Sequence, residues 1–138
     1  MKAVRISTKE SGNSKSIKAI ITGIIVNIAV VFIATLILSL FINLAGNLFE
    51  NFAGYLLLLP LILGGYFGGL TSARINGANG LILGTLSGTI TFIIMLIISF
   101  AVYNTDITYM FLLKAVSILL PSVIGGIKGV NKKEKFKI

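Results

Sequence analysis

The sequence predicts an all-α integral membrane protein, a four-transmembrane-helix bundle built as two tandem helical hairpins that repeat in parallel. Charge is scarce: of 138 residues, 56% are hydrophobic and 12% charged, where a soluble domain carries about 25%. The mean hydropathy is +1.01, and several apolar runs exceed the roughly 18 residues expected of a membrane span. The third observation is an internal pattern. L-P-x-x-x-G-G-x-x-G occurs at Leu59–Gly68 and again at Leu120–Gly129, a constant offset of 61 residues.

Residues 1–15 form a basic segment that reads as a disordered cytoplasmic tail. SGNSKS at 11–16 offers N-cap candidates in Asn13, Ser14 and Ser16 for the first span, about 16–41. The apolar stretch over 17–42 is too long for the 7–15-residue core of a cleaved signal, so a retained span is expected. Spans two, three and four are placed at about 52–73, 79–102 and 106–127, followed by a second basic tail over 128–138. Short links between long helices make sequential helices antiparallel neighbours.

The net charge of +8 is concentrated at the ends. Lys2, Arg5, Lys9, Lys15 and Lys18 precede the first span, and Lys128, Lys132, Lys133, Lys135 and Lys137 follow the last. Arg74 marks the middle loop, whereas the other two loops carry only Glu50 and Asp106. Lysine and arginine bias sets membrane orientation, so both termini and residues 74–78 are expected in the cytoplasm. The same cations attract anionic lipid headgroups. With only Phe136 among the tail lysines, the tails lack the interleaved aromatic groups of a nucleic-acid surface. High Ile, Lys and Asn without Trp suits an AT-rich bacterial genome, which places the chain in a bacterial cytoplasmic membrane.

Within the repeat, Pro60 aligns with Pro121, Gly64 and Gly65 with Gly125 and Gly126, and Gly68 with Gly129. Gly23 aligns with Gly84, and Asn43 with Asn104. Such units share one orientation and are related by an axis along the membrane normal. Pro60 and Pro121 are expected to kink their helices. They free the carbonyls of Leu56 and Ser117.

Two readings of the glycines stand. In the first, Gly64, Gly65, Gly68 and Gly69 of span two, Gly80, Gly84 and Gly88 of span three, and Gly125, Gly126 and Gly129 of span four let backbones approach closely, tightening the cytoplasmic half. Spans two and three then cross nearest at Gly65 and Gly84. In the second, unwound backbone with Ser117, Ser122, Thr85, Ser87, Thr89 and Thr91 forms a binding site. Asn27, at mid-depth in span one, is expected to hydrogen-bond across to span three.

Lys114 lies about 12 Å inside span four. An ionised lysine at the bilayer centre costs about 2.5–3.5 kcal/mol or more. Its side chain leans toward the outer face, where it snorkels or meets Asp106 or Glu50. The alternative is a role in transport or partner binding. Its repeat counterpart is Ala53.

With no cysteine and no histidine, thiolate and imidazole chemistry and most transition-metal sites are absent, and no cofactor is expected. The acids are only Glu10, Glu50, Asp106 and Glu134, too few and too scattered for an enzyme. The expected function is non-catalytic: a homo-oligomer or accessory subunit of a membrane complex, acting through helix contacts. A small transporter or channel protomer, with a pathway near the repeat axis and Lys114, is the alternative.

The block GGYFGGLTSARINGANGLILGTLSG at 64–88 and GGIKGVN at 125–131 resemble the YrzE-like family of small four-span bacterial membrane proteins, best represented in Firmicutes. The resemblance implies a four-helix membrane protein without an established activity. It carries over no catalytic or binding residue, and the long basic N-terminal segment and Lys114 depart from the family pattern.

Overall fold

The computed structural model describes residues 2–103 and 109–135, with side chains described over 14–49, 51–102 and 109–131. Five α-helices follow in order: α1 (Lys2–Ala45), a 3-10 segment (Gly46–Phe52), α2 (Ala53–Leu56), α3 (Leu58–Asn76), α4 (Gly80–Tyr103) and α5 (Tyr109–Lys135). Four stretches are long and apolar enough to cross a membrane: Ser14–Phe49, Ala53–Asn76, Gly80–Val102 and Tyr109–Asn131. Among the described residues there is no strand.

The helices form a four-membered bundle in which α3 is the hub. Its largest interface is with α5, its next with α1, and α4 closes the ring mainly against α5. Span two therefore pairs most closely with span four rather than with its sequence neighbours. The cause lies in its glycines, which occupy two adjacent faces of one helix. Gly64 and Gly68 turn toward α1, while Gly65 and Gly69 turn toward α5. Bare backbone on both faces lets two helices come close to α3 at once.

The helix ends follow local chemistry. Gly77 sits in the left-handed region at φ 76° and its N–H bonds back to Ala73 O at 2.9 Å, which terminates α3. Asn79, also at positive φ, accepts the N–H of Leu83 at 3.0 Å and starts α4. Gly46 at φ 66° ends α1. Proline behaves differently in the two copies. α2 stops at Leu56 and α3 restarts at Leu58, so Pro60 falls in a first turn where its missing N–H leaves nothing unpaired. Pro121 instead lies within the continuous run of α5.

Several expectations change. Residues 2–15 are helical and continuous with span one, giving α1 44 residues, about 66 Å at the usual rise. Helix growth is costly only at nucleation, and the span has already met that cost. Asn13, Ser14 and Ser16 accordingly lie inside a helix and cap nothing. α5 likewise continues to Lys135, past the expected end of span four at residue 127. The connection after span one is a 3-10 segment.

Gly65 and Gly84 do not face each other. Both are set against α5, Gly65 at Ile118 O and Gly84 at Ser122 O. Gly23 and Gly84 each face the second span of their own hairpin, but the aligned glycine pairs meet different partners. Gly64 faces α1 while its counterpart Gly125 faces α3, and Gly65 faces α5 while Gly126 faces α4. A two-fold axis relating the hairpins would require matching partners, which Gly23 and Gly84 have and the glycine pairs do not. The shared L-P-x-x-x-G-G-x-x-G spacing supplies two small-residue faces, and each copy uses them with different neighbours.

Candidate functional site

The bundle has two unlike halves. At the end holding the α3–α4 loop, helices touch through backbone. A Cβ added at Gly69, Gly80, Gly125 or Gly126 would collide with a facing main-chain carbonyl: Ser122 O, Gly126 O, Tyr66 O and Gly80 O respectively. At Gly129 it would sit 2.6 Å from Leu70 O. At Gly88 it would meet the Ser122 side chain at 2.8 Å. These approaches are closer than any side chain permits.

Serine fills the remaining space. Ser122 Oγ donates across the α4–α5 interface to Gly84 O at 2.6 Å, a carbonyl that also accepts Ser87 Oγ at 3.1 Å. The two hydroxyls stand 3.4 Å apart, both fully buried. Thr85, Thr89 and Thr91 each donate to the carbonyl four residues earlier in their own helix. Their protons are thereby committed locally. Of the hydroxyls grouped as a binding site, Ser87 and Ser122 meet across helices and Thr85, Thr89 and Thr91 bond within their own helix.

Asn27 departs from expectation. It is 0% exposed, and neither Oδ1 nor Nδ2 has a hydrogen-bond partner. The reason is its neighbour: α1 lies mainly on α3, and there α3 presents Gly64 and Gly68, which carry no polar side chain. Ser72, set against Gly23 in the same interface, is likewise buried with an unpartnered Oγ.

The cations gather around this end. Ser16 Oγ donates to Asn76 Oδ1 at 3.1 Å, joining α1 to the α3–α4 loop, and Asn76 Nδ2 donates to Ala78 O at 3.0 Å. Lys15 and Lys18 of α1 and Arg74 of α3 therefore flank the same end. Lys128 of α5 stands over the Tyr66 ring, 5.8 Å from its centroid.

The opposite half is filled by branched and aromatic side chains that hold the helices apart. Between the four spans lies a cavity of about 520 Å³, within the range of small-molecule sites. Val31, Leu61 and Ile118 line it toward the glycine half. Phe92 of α4 and Phe111 of α5 meet edge-on at 5.4 Å in its wall. The polar lining is Thr35, Ser99 and Lys114. Thr35 Oγ1 donates to Val31 O at 2.6 Å, so its proton is already engaged. Farther from the glycine half, the hydroxyls of Tyr55 and Tyr109 lie 3.1 Å apart and tie α2 to α5.

Lys114 is exposed and borders this cavity, so sequence reading found the residue while the cavity beside it was invisible. Asp106 lies outside the described residues, as does the side chain of Glu50, so an ion pair with either falls outside the description. Sequence reading also missed Thr35 and Ser99, which are ordinary residues of apolar helices until four helices converge on them.

Fold and site together define a small, helical, multi-pass membrane protein. The chain belongs to the DUF3792 family, described as a protein of unknown function, whose model matches residues 16–129. No curated protein and no solved structure significantly matches the chain.

Proposed function

We propose that this chain is a non-catalytic accessory subunit of a complex in the bacterial cytoplasmic membrane, and that its first span carries the partner contact. One asymmetry supports this reading. The glycines of spans two, three and four named above are all buried inside the single chain, whereas α1 buries only Ala19, Gly23 and Asn27 among its described side chains. Its remaining described side chains are half-buried or exposed, with Ile25, Phe32 and Leu36 among the exposed ones. The close-packing surface is therefore spent within the monomer. A partner would meet α1, with the lysines at both ends of the chain resting on anionic headgroups.

The reading includes both termini and the α3–α4 loop in the cytoplasm, supported by the gathering of cations at one end. It includes kinship with YrzE-like proteins of Firmicutes, supported by the glycine blocks. Tandem origin of the hairpins is supported by the shared spacing and by the matching contacts of Gly23 and Gly84, while the glycine pairs meet different partners.

The test uses the absence of native cysteine. Single cysteines at Ile25, Phe32 and Leu36 should crosslink in native membranes to a protein, either a second copy or another chain. Cysteines at the lipid-facing Ile97 and Leu112 should not. Crosslinks from the latter pair alone would overturn the reading.

The cavity beside Lys114 favours a second reading, a transporter protomer. Against a through-passage in this conformation stands the glycine half, where backbone contacts and the Ser122–Gly84 bond close the bundle. A transporter would have to open that half.

A further inference from the structure

We infer that the outer cavity is a lipid site: it receives one acyl chain of an anionic phospholipid from the surrounding bilayer, with Lys114 holding the headgroup phosphate. The chemistry of the lining carries this. Phe92, Met95 and Phe111, with Leu61 and Ile118 beyond them, offer a wall that only hydrocarbon matches. Lys114 is the single ionisable side chain among the lining residues. Apolar walls with one cation among the described lining residues fit an anionic amphiphile.

Access is lateral. Leu57, Ile98 and Lys114 line the cavity and are also exposed, so its mouth opens on the outside of the bundle, where lipid is the solvent. α1 and α4, whose Thr35 and Ser99 face the cavity, share a smaller interface than α1 with α3, α3 with α5 or α4 with α5. The floor is closed by the glycine-packed half. A chain can enter and stay, and nothing passes through. The Lys114 ammonium leans toward the headgroup level, where the bilayer itself supplies the phosphate.

The test uses the full chain in phosphatidylcholine vesicles with a minor fraction of phosphatidylglycerol bearing a photoreactive diazirine near the end of one acyl chain. After photolysis, label should concentrate on Phe92, Met95 and Phe111 over the outward-facing Ile97, Leu112 and Val116. Unlabelled phosphatidylglycerol should displace it, and added phosphatidylcholine should not. Lys114→Gln should reduce cavity labelling severalfold, as should Ser99→Phe, which fills the cavity. Lys114→Arg should retain it, and so should Lys128→Gln at the opposite end.

Label confined to the outward residues, as a partner helix occupying the cavity would leave it, overturns the proposal. Equal displacement by both lipids, or undiminished labelling in Lys114→Gln, overturns it also. Displacement on the unaltered chain decides the matter if a variant fails to insert.

Discussion

At the residue scale the sharpest contrast is between glycines that touch backbone and glycines that touch nothing firm. A Cβ at Gly126 would collide with Gly80 O, and neither helix can yield without moving its neighbours. A Cβ at Gly54 would meet only the tip of Met110, at 3.5 Å. Gly126→Ala is therefore expected to destabilise by about 1–3 kcal/mol, the usual cost of overpacking. Gly54→Ala should be neutral or stabilise by up to about 1 kcal/mol through helix propensity. Thermal unfolding in detergent gives both values, and a neutral Gly126→Ala would refute the close approach.

Ser122 supplies the second residue-scale prediction. Its hydroxyl is the bond between α4 and α5, and Ser122→Ala leaves Gly84 O with Ser87 as its remaining side-chain donor. The expected loss is about 0.6 kcal/mol, the average for such bonds in lipid, and at most about 1.7 kcal/mol. Ser87→Ala in the Ser122→Ala background should then cost more than Ser87→Ala alone, because one donor had been covering for the other. Additive losses would show that the two hydroxyls act independently.

At the element scale the question is direction. Ser16 and Asn76 are hydrogen-bonded, so the start of span one and the α3–α4 loop share one end of the bundle, whatever the orientation in the membrane. Asn47, beyond the far end of α1, lies at the other. With the cations on the cytoplasmic side, a cysteine at Asn47 should react with a membrane-impermeant thiol reagent in intact cells, and one at Asn76 should react only after lysis. Labelling at position 76 in intact cells would reverse the assignment.

α1 raises a separate point at this scale. Its helix runs about 66 Å, more than twice the roughly 30 Å hydrocarbon core. A substantial part of it must project beyond the core. Sequence reading ended the helix near residue 16 because polar residues and cap candidates cluster there. Cap residues stop nothing when the helix is already nucleated on both sides of them.

At the scale of the whole molecule, the two halves should differ in how readily they open. The half joined by Gly80, Gly125, Gly126 and Gly129 has backbone against backbone, while the other encloses a cavity of about 520 Å³. Local opening follows contact density. Hydrogen exchange in micelles should therefore protect the amides of 122–130 longer than those of 110–115, although both stretches belong to α5. Uniform protection along α5 would contradict the division.

Length and hydrophobicity determined the four spans, because a helix that must satisfy its backbone in lipid has no other spanning form open to it. The same run of residues marked Gly64, Gly65, Gly68 and Gly69 as surfaces for close approach and singled out Lys114. What it left open was which helix meets which. A glycine pair announces two small faces without naming their partners, and the partners are chosen by how all four helices fit together. So Gly65 and Gly84 both turned to α5, the aligned glycine pairs of the two hairpins took different neighbours, and Asn27 met glycine where a polar side chain was expected. The cavity is tertiary for the same reason. Thr35, Ser99, Phe92 and Lys114 come from three helices, and only their convergence makes the space that gives Lys114 something to face.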